Sequence, residues 1–311
     1  MNIEYNEEHY RGVDEYWRKV AESDGFDIEG IKGPLGMIGL MTFECEGLDS
    51  YTYAYPSLVH GYAKMGLHLY NMLKGTNLEF HSLMKFNMLQ NLVSSYFITL
   101  EAYDPLGQLL PFQVHAEENL YCSLDFTVFI ARPKRTRGAA TTSQPISLHG
   151  RGVIADGLPD WPSEDIISDR QRFFELEEHV VRNTSWIQTY LELTVYTKDR
   201  FIPREDLYKL KIVKVVMETG NADVEPPNQR LNAKNETFYI TLKGLAIRGT
   251  GEHVERKAIV RRVVNGWAVH LSLKGELCSR EEDLVKIMSW EEKHRRSLET
   301  GSWSSSTCPN P

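Results

Sequence analysis

The sequence predicts an α+β fold: a helix packed on an antiparallel sheet, followed by a second β-rich antiparallel unit. Three observations predict it. A helical apolar stripe from Leu58 to Met72 is followed by four segments with clean two-residue alternation, ending near Pro133. After an irregular stretch, alternating segments recur from Ile187 to Leu273. The chain has 311 residues, 41% hydrophobic and 25% charged, which suffices for two units of about 150 residues, each with its own core.

Residues 1–56 read as an N-terminal helix and a Gly-rich lead-in. The helix is expected over residues 7–23, because Tyr10, Val13, Trp17 and Val20 share one side and Gly25 follows. Gly30–Gly39 has neither G-x-G-x-x-G nor G-K-[ST], and no strand and helix frame it, so it reads as a structural loop rather than a phosphate cradle. In the next helix Leu58, Tyr62, Met65, Leu69 and Met72 share a face. Gly75 falls where a left-handed C-cap needs a residue without Cβ.

Four strands follow. Leu78, Phe80, Met84, Phe86 and Met88 alternate with Glu79, His81, Lys85 and Asn87. Tyr96, Ile98, Leu100 and Ala102 alternate with Ser95, Thr99 and Glu101, while Phe97 breaks the polar set. Asp104-Pro105-Leu106-Gly107 supplies turn chemistry. Phe112, Val114 and Ala116 then alternate with Gln113, His115 and Glu117. Leu120, Cys122, Leu124, Phe126, Val128 and Ile130 alternate with Ser123, Asp125 and Thr127. Each strand is thus expected to bury one face and wet the other. The preceding helix carries a matching stripe, so residues 57–133 read as a helix-plus-meander unit of the cystatin or monellin type.

Residues 134–162 lose the period and read as a linker or long surface loop. Residues 163–278 read as the second β-rich unit. Its expected strands are Ile187–Val195, Leu210–Met217, Phe238–Leu242, Ala258–Val264 and, after the Asn265-Gly266 turn, Trp267–Leu273. Residues 279–311 read as a C-terminal helix, opened by a capping box at Ser279–Glu282, and a disordered tail. The terminal helices offer a route to self-association.

The formal net charge of −8 argues against direct nucleic-acid binding. No apolar run approaches the ~20 residues that span a bilayer, so no membrane role is expected. The acidic, polar start, Met1 to Glu8, does not read as a secretory signal, and the protein is expected not to be secreted. Cys45, Cys122, Cys278 and Cys308 form no C-x-x-C pair and read as free thiols. Asn183-Thr184-Ser185 and Asn235-Glu236-Thr237 then read as chance sequons.

Catalytic motifs are missing: H-E-x-x-H, G-x-S-x-G, paired C-x-x-C and Walker A are all absent. His81, His115 and His270 fall on outward strand positions and read as polar surface. The reading is therefore of a non-enzymatic protein with no catalytic residue, cofactor or metal. Lys134, Arg135 and Arg137, next to Arg132, form a K-R-x-R cluster of the kind that nuclear import adaptors read, which predicts a nuclear protein, with the cytoplasm as the alternative. Arg256-Lys257 with Arg261-Arg262 reads as a polar sheet face.

Several words resemble the plant Male Sterility Five family. They are Leu67-His68-Leu69-Tyr70-Asn71, Lys74-Gly75-Thr76-Asn77-Leu78, Tyr96-Phe97-Ile98-Thr99-Leu100-Glu101-Ala102 and Asp160-Trp161-Pro162. Others are Tyr190-Leu191-Glu192-Leu193, Ile212-Val213-Lys214-Val215, Val224-Glu225-Pro226-Pro227-Asn228 and Lys257-Ala258-Ile259-Val260-Arg261-Arg262. The resemblance implies a non-enzymatic plant protein that binds other proteins, with a part in male fertility and meiosis. The helix-then-meander order also resembles cystatins, which plug cysteine-protease clefts with a Q-x-V-x-G hairpin. The equivalent hairpin here, Gln90-Asn91-Leu92-Val93-Ser94, displaces the valine by one place and lacks the glycine. Those departures count against protease inhibition, while Gln90, Asn91, Leu92 and Val93 remain a candidate contact loop. A small-ligand site between helix and sheet is the remaining alternative.

Overall fold

The computed structural model describes residues 6–45, 56–89, 93–134, 154, 157–198, 200, 202, 204–219, 231–244 and 255–278. Its elements are α1 (Glu7–Glu22), β1 (Leu40–Glu44), α2 (Pro56–Lys74), β2 (Glu79–Leu89), β3 (Ser95–Tyr103), β4 (Leu109–Glu118) and β5 (Leu124–Pro133), then α3 (Glu164–Ile167), β6 (Phe173–Glu175), α4 (Glu178–Asn183), α5 (Ser185–Lys198), α6 (Arg204–Leu207), β7 (Lys211–Thr219), β8 (Asn235–Lys243), β9 (Arg256–Asn265) and β10 (His270–Cys278). The fold class is α+β. Two compact units share these elements: one of Met1–Tyr121, Phe126–Val153 and Val264–Ser272, the other of Cys122–Asp125, Ile154–Val263 and Leu273–Pro311.

In the first unit the strands lie in the order β1-β2-β3-β4-β5, each antiparallel to its neighbour. The α2 stripe covers one face, on which Tyr96, Ile98 and Leu100 of β3 pair with Ala116, Val114 and Phe112 of β4. Tyr62 meets Tyr96 and Phe126, and Tyr70 meets Phe112 edge-on. The helix approaches the sheet closely at Gly66, where a Cβ would lie 2.2 Å from Val114.

The opposite face is not wet, which corrects the expectation from alternation. Phe97, Thr99, Gln113, His115 and Glu117 are all buried. The chain that follows α1 explains part of this burial. Phe26 packs edge-on against Phe97 at 5.9 Å, and Asn87 Nδ2 donates to the Gly25 and Phe26 carbonyls at 2.7 and 2.9 Å. Arg132 Nη2 donates to Asp24 Oδ2 at 2.6 Å, and Lys85 and Lys134 both reach Asp27 at 3.1 Å. Of the polar side chains here, Asn87 and Gln113 have hydrogen-bond partners, Gln113 Oε1 accepting from Arg132, as burial favours. On α1 itself, Tyr16 and Val20 are buried with Ile28, and Tyr10 is exposed. β5 starts at Leu124, later than its pattern suggests, leaving Leu120 exposed and Cys122 in the left-handed region at φ 55°.

The second unit has a related order of elements: the short helix α3, the edge strand β6, the helices α4, α5 and α6, and then the remaining strands. Its strands run β6-β7-β8-β9, each antiparallel to its neighbour, followed by the Leu273–Cys278 part of β10. Ile187–Val195, expected as a strand, lies inside α5. The helix is buried over most of its surface, with Gln188 and Glu192 half-buried on one side, so only a weak stripe survives in its sequence. Its threonines satisfy their hydroxyls within the helix: Thr194 Oγ1 donates to the Tyr190 carbonyl at 2.8 Å, and Thr197 Oγ1 to that of Leu193 at 2.7 Å. The opposite sheet face packs Phe173, Val216, Tyr239 and Ile259 against Leu158, Trp161 and Ile167.

Candidate interaction site

The residues singled out from the sequence fall in three places. Of the contact hairpin, Val93 is half-buried, while Gln90, Asn91 and Leu92 lie outside the described residues. A buried carboxylate braces the base of that hairpin. Glu118 Oε2 accepts from the Ser94 backbone N–H at 3.2 Å, and its Oε1 accepts from Tyr62 Oη at 2.9 Å and Tyr96 Oη at 3.5 Å. Of the basic cluster, Arg135 and Arg137 lie outside the described residues. Lys134 is not splayed into solvent: its Nζ reaches Asp27 at 3.1 Å and its backbone N–H donates to the Pro111 carbonyl at 2.7 Å. The C-terminal helix from Ser279 also lies outside the described residues.

The second basic cluster is not a polar face. On β9, Arg256 and Arg262 share the parity of Ala258, Val260 and Val264 and are buried with them. Arg262 sits between two aromatic rings, 4.9 Å from the Trp186 centroid and 5.2 Å from that of Phe238. Its guanidinium donates to the carbonyls of Leu231 and Ala233 at 2.9 and 2.7 Å, and to Tyr190 Oη at 3.3 Å. A planar cation with five donors is suited to being both stacked and hydrogen-bonded. The arginine therefore fastens the approach to β8 onto α5.

Two of the histidines read as surface groups belong to an internal cluster. His115 is buried and stacks on Phe97 with centroids 4.2 Å apart and planes 10° apart. Its Nε2 lies 3.2 Å from Glu117 Oε1. Phe129 lies between the two imidazoles, 5.6 Å from His115 and 4.7 Å from His270. Burial, then the nearby His115, holds the His270 pKa below its usual 6.5. The cysteines do not look like nucleophiles: Cys45 and Cys278 are free thiols whose burial pushes their pKa values up to about 12 and about 11. Cys122 is disulfide-bonded, contrary to the expectation of free thiols. Among the described residues no three His, Cys, Asp or Glu side chains converge as a metal-ligand set, and no helix is long and apolar enough to cross a membrane.

Among the described residues, the two most exposed large apolar side chains, Trp267 and Leu106, lie at one end of the first unit. Asn265 begins a turn in which its Oδ1 accepts from the Trp267 and Ala268 backbone N–H groups at 3.1 and 3.2 Å. Trp267 is fully exposed and Val269 partly so. They were expected as inward strand residues, but the side-chain-capped turn extends to Val269 and β10 begins only at His270. Beyond the turn, the Ser272 hydroxyl meets that of Thr127 at 2.8 Å, so the chain from the turn onward runs antiparallel to β5. The turn is thereby placed beside the Arg132–Pro133 end of β5. The β3–β4 hairpin lies at the same end, because Phe112 pairs with Pro133. Its tip is fixed by Asp104 Oδ1, which accepts from the Leu106 and Gln108 N–H groups at 2.9 and 2.8 Å, and it exposes Leu106 and Leu109. Two side-chain-capped turns thus present Leu106, Leu109, Trp267 and Val269 to solvent. The sequence signal for this site was the pairing of Asx turn formers with apolar neighbours.

Comparison with known proteins agrees with the resemblance drawn from the words of the sequence. The family model described as Protein MS5 matches residues 158–273, a span that includes Trp267. The Arabidopsis thaliana UPF0725 protein At1g23960 is 47% identical over 287 residues, covering 85% of this chain and 93% of that protein. The Arabidopsis thaliana UPF0725 protein At1g02770 is 44% identical over 269 residues, covering 85% and 82% respectively. The crystal structure of MS5 from Brassica napus is similar with a TM-score of 0.57 and 31% identity, over 72% of this chain and 99% of that one. The chain belongs to the MS5 family.

Proposed function

We propose that this is a non-catalytic plant protein that acts by binding other proteins, in male reproductive development and meiosis and from within the nucleus. The observation that carries the binding role is the exposed sheet end, where Trp267, Leu106, Leu109 and Val269 stand on two side-chain-capped turns. An exposed aromatic with aliphatic neighbours, held on rigid turns, suits an interface anchor, because little conformational entropy is lost on docking. The family's name supports the reproductive role, and the α2-on-meander order supports a cystatin-type reading of the first unit.

The binding role is tested by affinity purification from developing anthers, comparing wild type with Trp267→Ser/Leu106→Ser. Losing a buried interface tryptophan costs about 2–4 kcal/mol, so partners should bind roughly 30- to 1000-fold more weakly to the variant. An unchanged set of partners, with the variant folded, would refute this surface as the docking site.

Nuclear action is supported by the K-R-x-R cluster at Lys134, Arg135 and Arg137. At 35.8 kDa the chain is small enough to diffuse through nuclear pores, so the test uses a bulky fluorescent fusion. The wild-type fusion is expected to enter nuclei and Lys134→Ala/Arg135→Ala/Arg137→Ala to stay in the cytoplasm. Equal nuclear entry would refute the cluster as an import signal.

A further inference from the structure

We propose that His115, Glu117 and His270 form a proton-sensitive latch that holds the Asn265–His270 turn, and with it the exposed Trp267, against β5. The geometry is a row of rings crossing three strands and the start of a fourth. Phe97 on β3 stacks on His115 of β4 at 4.2 Å. Phe129 of β5 tilts against His115 at 5.6 Å and meets the His270 ring edge-on at 4.7 Å. Close by, the Thr127 and Ser272 hydroxyls meet at 2.8 Å. Contacts at His270 and Ser272 therefore hold the chain just after the turn, while Trp267 itself stands in solvent.

Charge count decides how the latch responds to acid. The ionisable groups that act on His270 are both on β4, His115 and Glu117. From β5 it meets Phe129 and Thr127 lies nearby, neither charged, and Arg132 further along is committed to Asp24 and Gln113. One carboxylate therefore serves two imidazoles. Glu117 is already engaged with His115, whose Nε2 lies 3.2 Å from it. A proton on His270 therefore adds a positive charge beside His115 that Glu117 offsets only in part, in a half-buried position where desolvation and repulsion act together.

The direction of the effect follows from linkage. Burial holds the folded His270 pKa below 6.5, so the released chain binds the proton more readily than the latched one. The latch is fully stable above 6.5 and loses stability as pH falls through 6.5 toward the lower folded value. Backbone strain acts in the same direction. Val269 is β-branched and held at φ 56°, a left-handed conformation that such residues rarely adopt, so opening the turn relieves it. Acidification is therefore expected to free the Trp267 turn first, before the strands of either unit.

The consequence for binding rests on the function proposed above, whereas the latch itself is read without any partner. Hydrogen exchange of the full chain, corrected for intrinsic rates, is compared at about pH 7.5 and about pH 5. Amides of Ala268–Ser272 should lose clearly more than about twofold of their protection relative to β7 and β8. In His270→Gln, which cannot be protonated, the relative protection should change by no more than about twofold. Glu117→Gln should enlarge the loss, because it removes the carboxylate that favours the protonated form of His270. Undiminished wild-type protection at low pH, or an equal loss in His270→Gln, would overturn the latch. A direct NMR titration of His270 in the wild type needs no variant to fold, and a midpoint at or above 6.5 would overturn it as well. A working latch with unchanged partner capture by the Trp267 variant would instead count against the docking surface alone.

Discussion

Arg262→Ala is expected to destabilise the second unit by about 3–5 kcal/mol, the usual cost of breaking a buried charged network from one side. The side chain is fully buried, stacked between Trp186 and Phe238, and donates to two carbonyls and a tyrosine hydroxyl. Truncation loses the stacking and leaves a cavity between the rings. It also strands the Leu231 and Ala233 carbonyls without their donor, and that unmet polar cost accounts for much of the loss. Arg262→Lys keeps the charge but loses the planar fork, and should recover less than half of the stability. Arg262→Met fills the space without a donor and should fall between wild type and alanine. Denaturant unfolding followed by tryptophan fluorescence measures all three. A loss below about 1 kcal/mol for alanine would mean that the network is ornamental.

Gly25→Ala is expected to cost about 2–4 kcal/mol, and a neighbouring glycine separates the two causes. Gly25 has φ 81°, and a Cβ there would lie 2.5 Å from the Phe97 ring. Gly30 has φ 80° and open space around the same position. Gly30→Ala therefore reports backbone strain alone, about 1 kcal/mol, while Gly25→Ala adds the collision with a buried ring. Phe97 stacks on His115, so the damage should spread to the latch and lower hydrogen-exchange protection around Ser272 even at neutral pH. Equal losses for the two alanines would show that the chain after α1 can lift off the sheet freely.

The sequence was most legible where one element faces one solvent boundary. The α2 stripe and the apolar parity of β3 and β4 translate directly into packing, because every residue on that parity has a single destination, the interface between helix and sheet. Gly75 likewise takes the positive φ expected of it, 63°. Legibility failed where an element is enclosed on all sides. α5 carries Ile187, Leu191, Leu193 and Val195 among buried Tyr190, Thr194 and Tyr196, and that composition suits a strand as well as a buried helix. Buried polar residues misled in the same way. His115 and Glu117 lie on a strand parity that alternation assigns to water, whereas Arg262 shares the apolar parity of β9 and misleads by its charge. Arg262 is held inside by hydrogen bonds to the distant Leu231 and Ala233 carbonyls, and His115 by stacking on Phe97 of the neighbouring strand.

Local pattern by itself determined the α+β class, the family to which the words belong, the α2-plus-meander order and the turns at Asp104 and Asn265. Each depends on residues within a few positions of one another, where period and turn chemistry are strong enough to decide. Only the tertiary structure decided which strand faces are dry, that the Asp24–Ile28 segment covers the second face, and that His115 and His270 share a ring column. It also decided that Trp267 stands outside. These outcomes depend on which distant segment reaches a given surface first, and a free energy shared between residues 100 or more positions apart leaves no period in either of them.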